Sequence, residues 1–381
     1  MGDRRFVVEL IKPSHYDDDG YVIQWWKCWI PSNSLACLYG IAMDLARRRA
    51  LGPDVAIEIR AYDECHTIIP VRRIIGRIKR AGAGVVCLVG VQSNQFPRAM
   101  DVAARFREAG IQVAVGGFHV SGCLAMLPEL PPDLEAARRL GVSLFAGEAE
   151  RRLVKVFTDA LAGRLEPIYN HMDDLPALQQ QVTPFLPLDI VRRYGETIGA
   201  FDAGRGCPFQ CSFCTIINVQ GRKSRWRDAD DVERLVRANL AQGVFRFFIT
   251  DDNFARNRNW EAIFDRLIEI RERRGSVCSS SSRSTRSATA SRTLSRRRRA
   301  RAASGSLSGW KTSIPTICCR PRKSRTGCTN TARCFWPGAP SGSSPMPDTF
   351  SDFRVTRRSG SRMTSAPCSG NCRSTCSSFL F

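Results

Sequence analysis

Gly206-Cys207-Pro208-Phe209-Gln210-Cys211-Ser212-Phe213-Cys214 sets three cysteines at the spacing Cys-x3-Cys-x2-Cys, with an aromatic residue directly before the last one. Three thiolates on one tight loop can hold three irons of a [4Fe–4S] cluster and leave the fourth iron open to another ligand. The alternative is a structural zinc knuckle, in which a Cys-x2-4-Cys pair is completed by a second pair of ligands further on. Residues 215–275 contain neither Cys nor His, so zinc would have to draw a fourth ligand from far away, from His171 or His119.

The flanks of the loop read as the opening of a (β/α) barrel. Gly199–Ala203 is a strand leading into the cysteines, and a helix runs from about Asp230 to Gln242 with Val232, Leu235, Val236 and Leu240 on one face. Gly243 ends that helix. The strand Val244–Thr250 follows and ends in Asp251-Asp252-Asn253-Phe254. A further helix then carries Trp260, Ile263, Phe264, Leu267 and Ile268. Barrel active sites lie at the strand C-termini, which is where both the cysteines and the Asp-Asp-Asn run fall. Only two barrel strands are legible before residue 275.

Residues 1–165 alternate short apolar strands with amphipathic helices. The strands are Phe6–Lys12, Val55–Tyr62, Val85–Gln92, Gln112–Gly117 and Val142–Gly147. One helix has Val71, Ile74, Ile75 and Ile78 as its stripe and Gly82 as its stop. A second opens at Pro97 and ends at Gly110, and a third carries Leu153, Val156, Phe157 and Leu161. That alternation predicts a doubly wound, parallel α/β sheet. Such sheets bind ligands outside the carboxyl ends of their strands. Here those ends carry Gln92-Ser93-Asn94, Gly116-Gly117-Phe118-His119 and Gly147-Glu148, and no Gly-x-Gly-x-x-Gly fingerprint of a dinucleotide site follows the first strand. Residues 166–198, with Pro176, Pro184 and Pro187, read as a linker to the second domain at 199–275.

The cysteine loop resembles the cluster loop of radical S-adenosylmethionine (SAM) enzymes, and the preceding domain is similar to the cobalamin-binding domain of one of their subgroups. The resemblance covers residues 1–275. It implies a [4Fe–4S] cluster on Cys207, Cys211 and Cys214, SAM near Phe213, Asp251, Asp252 and Asn253, and cobalamin along Gln92, Ser93, Asn94, Gly116, Gly117, His119, Gly147 and Glu148. The bland readings stay open beside these: glycines as turn residues, Asp251 to Asn253 as a strand-end turn, Phe213 as an apolar cap. The Asp-x-His-x-x-Gly string of methionine-synthase-type cobalamin domains is missing, so no histidine is expected to ligate cobalt; His15 and His66 read as loop histidines. Lys223, Arg225 and Arg227 form a basic stretch, either solvated or able to bind a carboxylate.

The chain of 381 residues has a formal charge of +21, which would ordinarily suggest a nucleic-acid or membrane partner. Residues 276–381 carry 19 of its 57 Lys and Arg and only two of its 36 acids, so +17 of the +21 lies there. Residues 1–275 are nearly balanced, at +4, which argues against a nucleic-acid partner for the enzyme. The tail is rich in Ser and Arg, holds half of the 16 cysteines and shows no sustained apolar period. It reads as an RNA-binding segment, a disordered tail or an out-of-frame translation of GC-rich DNA. Read from the third base of each codon, Trp310-Lys311 must give Glu followed by Asn or Asp, and Met346-Pro347 must give Ala. The continuations admit Glu-Asn-Ile-Asn-Pro-Asp-Asn-Leu-Leu and Ala-Gly-Tyr-Ile-Leu-Gly-Phe-Pro. Both strings resemble later barrel segments of radical SAM enzymes, which favours a frameshift near residues 271–283.

No stretch reaches the ~18 apolar residues of a membrane span. Free thiols without a secretion signal place the chain in a reducing cytoplasm. The resemblance implies a small-molecule substrate, an electron donor such as flavodoxin or ferredoxin, and methyl transfer from SAM to an unactivated carbon. Cobalamin-assisted rearrangement or cyclisation without net methylation is the alternative chemistry, and a non-catalytic fragment is the alternative class.

Overall fold

A computed structural model describes residues 4–279 and 316–318 apart from Gln210, Phe213, Asp252, Asn253, Ala255 and Arg256. Its main feature is a six-stranded, wholly parallel sheet in the order β2-β1-β3-β4-β5-β6. The strands and their helices follow one another as β1 (Arg4–Lys12), α1 (Asn33–Arg47), β2 (Val55–Asp63), α2 (Val71–Ala81), β3 (Gly84–Leu88) and α3 (Phe96–Glu108). The unit continues through β4 (Gln112–Gly116), α4 (Phe118–Met126), α5 (Pro132–Arg139), β5 (Val142–Ala146), α6 (Leu153–Leu161) and β6 (Ile168–Asn170). This is the doubly wound α/β sheet that the strand-helix alternation predicts.

The alternation of side chains along β1 shows why both faces must be covered. Phe6, Val8 and Leu10 enter one core with Leu35, Ala36, Ile41 and Leu45 of α1 and Val156 and Phe157 of α6. Val7 and Ile11 enter the opposite core with Ile74 and Ile78 of α2 and Phe106 of α3. β3 divides in the same way, Val85 and Cys87 against Val86 and Leu88. A central parallel strand has to be apolar on both faces, because helices cover both.

The first core does not stop at the sheet. It continues through α7 (Leu188–Val191), β7 (Ile198–Phe201), α9 (Ala229–Ala241), β10 (Arg246–Ile249) and α10 (Trp260–Ser279), with Phe201, Val232, Leu235, Phe247, Ile263 and Leu267 in the same packed cluster as Phe6. Between β7 and α9 lie β8 (Gly204–Arg205), α8 (Ile216–Val219) and β9 (Arg225–Trp226). Residues 166–198 are therefore more than a linker. They supply β6 and α7, and bury Leu186, Ile190, Val191 and Tyr194. The Tyr194 hydroxyl donates 2.8 Å to the buried Asp63 carboxylate at the end of β2.

β7 and β10 pair in parallel, as a (β/α) barrel requires, and α9 begins at an Asp228 cap whose carboxylate accepts from the Asp231 N–H. The third strand, β11 (Thr316–Cys318), pairs antiparallel with β10. That is a departure from a barrel, whose neighbours are all parallel. Apart from these three residues, the tail beyond residue 279 lies outside the described residues. Among the described residues no helix is long and apolar enough to cross a membrane.

Candidate active site

The cysteine loop is closed at its base by a two-stranded ribbon. β8 and β9 pair antiparallel, Gly204 opposite Trp226 and Arg205 opposite Arg225, so residues 206–224 form one bounded excursion. Gly206 opens it at φ +75, where a Cβ would stand 2.2 Å from the Lys223 carbonyl oxygen. Only glycine fits there without displacement. The Cys207 N–H donates to the Gly221 carbonyl at 3.1 Å and the Cys214 N–H to the Cys211 carbonyl at 3.1 Å. Cys211 is exposed, Cys207 and Cys214 are half-buried, and all three are free thiols. No three His, Cys, Asp or Glu side chains among the described residues stand close enough together to share one metal ion.

α8, directly after the loop, packs on α4: Asn218 Nδ2 donates 3.2 Å to Met126 Sδ, and Gly122 leaves room for Val219. α4 is the helix that begins at Gly116-Gly117-Phe118-His119. The structure therefore brings the cysteine loop beside the carboxyl edge of the large sheet. At that edge the expected residues of three adjacent strands meet. The Val91 N–H donates to the Gly116 carbonyl and Val91 accepts from the His119 N–H, both at 3.0 Å. His119 Nδ1 lies 3.1 Å from Ser93 Oγ and Nε2 lies 2.8 Å from Asp133 Oδ2. Its ring leans on Phe96 with centroids 4.4 Å apart. With both nitrogens engaged, His119 is held as a wall of the edge. Gly117 leaves no room for a Cβ, which would meet the Val91 backbone N at 2.2 Å. The Gly147 N–H donates to Ser121 Oγ at 3.1 Å. The Gln92 N–H donates to Gln95 Oε1 at 3.1 Å, and Asn94 is exposed. Lys12 Nζ, at the end of β1, reaches the same Gln95 Oε1 at 3.2 Å across the β1/β3 switch point, where doubly wound sheets open a crevice.

Glu148 needs correction. Its carboxylate does not face the edge as a cofactor contact; it is taken up by two arginines of the β8–β9 ribbon. Arg205 Nη1 and Arg225 Nη1 donate to Glu148 Oε2 at 2.9 and 2.8 Å, and Arg225 Nη2 pairs with Glu148 Oε1. Arg205 also pairs with Glu150 at 2.8 Å and with Asp202 at 2.8 Å. Arg225 further donates to the Pro176 and Gln220 carbonyls at 2.7 and 2.9 Å. The reading of a solvated basic stretch fails at Arg225 and Arg227 for the same reason: Arg225 is half-buried against Glu148, and Arg227 is buried against Asp202 with no exposed surface. Burial pushes the Asp202 carboxyl up, but Arg205 and Arg227 outweigh it and hold Asp202 below the usual carboxylate range. Glu150 is likewise held low by Arg205 against the opposing effect of burial.

Two nitrogens stand out in this group. Arg227 Nε donates to the Asp202 carbonyl at 3.0 Å and Nη2 lies 3.6 Å from Asp202 Oδ1, yet neither Nη1 nor Nη2 makes a hydrogen bond among the described residues. Buried donors normally find partners. Asp251, at the end of β10, accepts from the Ala203 N–H at 2.6 Å. Phe213, Asp252 and Asn253 lie outside the described residues. The sequence reading missed α1, which contributes Asn33 and Cys37 to Asp202 at 3.2 and 3.6 Å. The signal was present in Ser32, whose hydroxyl caps the helix at the Leu35 N–H ahead of the Leu35, Ala36, Ile41, Ala42, Leu45 stripe.

The family model of the radical SAM superfamily matches residues 203–300, which include all three cysteines. The match and α10 both run past residue 275. Among curated relatives, bacteriochlorophyllide d C-8(2)-methyltransferase of Chlorobaculum tepidum is 28% identical over 197 residues, covering 46% of this chain and 40% of the relative. Hopanoid C-2 methylase of Rhodopseudomonas palustris is 23% identical over 180 residues, covering 46% of this chain and 32% of the relative. The chain thus spans well under half the length of these two relatives. Among solved structures, the radical SAM methyltransferase TsrM from Kitasatospora setae, with cobalamin and a [4Fe–4S] cluster bound, aligns with a TM-score of 0.46 at 14% identity, over 72% of this chain and 53% of that one.

Proposed function

We propose that the chain derives from a cobalamin-dependent radical SAM methyltransferase acting on an unactivated carbon of a small molecule. The observation that carries this reading is the trio of free thiols on one ribbon-closed loop, set beside the glycine-lined carboxyl edge of a parallel sheet. Zinc is disfavoured by the same geometry. His171 and His119 follow β6 and β4, and His119 already has both nitrogens engaged.

The residues present fit the implied groups. Cys207, Cys211 and Cys214 would hold the [4Fe–4S] cluster as thiolates, with Gly206 allowing the chain to turn tightly beneath them. The Arg227 guanidinium, buried against Asp202 with two nitrogens lacking hydrogen bonds, suits an anion such as the SAM carboxylate. Ser93, His119 and the strand-end backbone at Gly117 and Gly147, packed on the Val91 and His171 backbone, would line the cobalamin side of the edge. When bound, the cluster and SAM supply reductive cleavage of a sulfonium, and cobalamin supplies a methyl carrier. The protein's share is placement: the β8–β9 ribbon fixes the loop, α8 against α4 sets it beside the sheet edge, and the Asp251–Ala203 bond ties the ends of β7 and β10 together. An electron donor of the flavodoxin or ferredoxin kind and a reducing cytoplasm belong to this reading. Anaerobic incubation with SAM and a reductant tests it. Methyl transfer releases S-adenosylhomocysteine beside 5′-deoxyadenosine, cobalamin-assisted rearrangement releases 5′-deoxyadenosine alone, and a non-catalytic fragment releases neither.

A frameshift near residues 271–283 accounts for the tail. Its support is the +17 charge beyond residue 275 and the antiparallel β11 where a barrel would place a parallel strand. Sequencing the gene across the codons for residues 265–290 tests it: an inserted or missing base supports the frameshift, and one uninterrupted frame refutes it.

A further inference from the structure

Directly behind the cysteine loop lies a group of six charges, Glu148, Glu150, Asp202, Arg205, Arg225 and Arg227, each with side-chain exposure of 13% or less. Three acids face three bases, so the group is neutral as a whole. One carboxylate holds its two halves together. Glu148, one residue past Gly147 at the edge of the large sheet, pairs with Arg205 on β8 and Arg225 on β9, the two strands that close the cysteine loop. Arg205 itself stands immediately before Gly206-Cys207. Of the three carboxylates in the group, Glu150 pairs with Arg205 and Asp202 with Arg205 and Arg227, while Glu148 pairs with an arginine on each strand.

We propose that Glu148 is a positioning residue for the cysteine loop. By clamping both strands of the ribbon it fixes the loop on the sheet edge, and as the balancing charge of the group it sets the field at the metal centre the loop would carry. The inference rests on the reading of Cys207, Cys211 and Cys214 as cluster ligands, and it concerns the midpoint potential of that cluster rather than turnover.

The test is a potentiometric titration, followed by electron paramagnetic resonance, of the full chain reconstituted anaerobically with ferrous iron and sulfide. Glu148→Gln keeps the shape and removes the negative charge, leaving the group one charge positive; the more negative, reduced cluster is then favoured. For a unit charge on the order of 10 Å from a metal centre, an effective dielectric of about 20 makes the interaction worth roughly a tenfold change in the ratio of reduced to oxidised cluster. For one electron, tenfold is about 59 mV, here toward higher potential. Arg225→Gln removes a positive charge instead and should move the potential by a similar amount in the opposite direction. Loosening of the loop alone would have no reason to reverse sign between the two variants, so opposite shifts support the proposal. Shifts of the same sign, or two unchanged potentials, overturn it while leaving the cluster reading intact. If Glu148→Gln fails to fold, Glu148→Asp decides: it keeps the charge but shortens the reach to Arg205 and Arg225, so it should take up less iron at a nearly native potential, and native iron uptake overturns the clamp. A wild-type chain that takes up no cluster overturns both readings.

Discussion

Substituting Gly206 by alanine tests whether the cysteine loop is built around the ribbon as the structure indicates. Gly206 sits at φ +75, and left-handed backbone costs a non-glycine residue roughly 1–2 kcal/mol. The new methyl would lie 2.2 Å from the Lys223 carbonyl oxygen, 2.9 Å from that of Gln220 and 3.1 Å from that of Gly221. None of these is a side chain that can swing away. Lys223 lies two residues before β9, which is pinned to β8 and, through Arg225, to Glu148. Relief must therefore come from moving the loop, at a further cost of about 1–3 kcal/mol by analogy with overpacked interiors. A total of about 3 kcal/mol is about a hundredfold in the equilibrium between the loop geometry that gathers the thiols and those that do not. The assay is iron and sulfide content after anaerobic reconstitution, read beside thermal unfolding. Gly206→Ala should lose most of its iron while the unfolding of the large sheet is little changed. Wild-type iron uptake by this variant would refute the argument that the ribbon and Gly206 shape the loop.

Further predictions concern the core and the anion site. Glu9, fully buried on β1 with Arg77 2.6 Å away, has its carboxyl pushed up to about 7 by burial, against the opposing pull of Arg77 and Arg60. Its folded-state value lies above the unfolded one, so its contribution is fully present below about pH 4.5 and is lost as pH rises through about 7, a change of about 3 kcal/mol. Chemical denaturation should show Glu9→Gln flattening the stability profile between pH 5 and 8; an unaltered slope contradicts the assignment. Tyr194→Phe removes the buried donor to Asp63 and should destabilise by about 1–3 kcal/mol in the same assay, whereas a neutral result would mean that water replaces the hydroxyl. Arg227→Met should weaken SAM binding to the reconstituted chain about tenfold or more in equilibrium dialysis, the worth of a lost charge-assisted bond. Unchanged affinity would show that Arg227 serves Asp202 alone.

The parts of the fold that were legible in the sequence share a physical cause. Val85-Val86-Cys87-Leu88 and Gln112–Gly116 can only be buried strands, because short, β-branched, apolar runs between helices have nowhere else to go, and Gly82 and Gly110 stop their helices in the left-handed region. The sixth strand escaped notice because Ile168-Tyr169-Asn170 is three residues long and follows a proline, and it pairs only by virtue of the β5 edge beside it. At the site, the three loop cysteines and the glycine-rich strand ends announce themselves by spacing and residue type. The charge group does not. Glu148 lies 57 residues from Arg205 and 77 from Arg225, and a basic stretch such as Lys223 to Arg227 looks solvated until the fold brings carboxylates to it. The misassignment of Glu148 arose because a strand-end acid has the same local sequence whether it faces a ligand or an arginine.

The measurement that bears most directly on the central claim is the metal content of the anaerobically reconstituted full chain beside a variant with Cys207, Cys211 and Cys214 all changed to Ala. About four irons and four sulfides per chain in the native protein, lost in the triple variant, with an electron paramagnetic resonance signal of the reduced cluster that changes on adding SAM, is the predicted result. One tightly held zinc per chain in place of iron, or iron uptake that survives loss of all three cysteines, would contradict it.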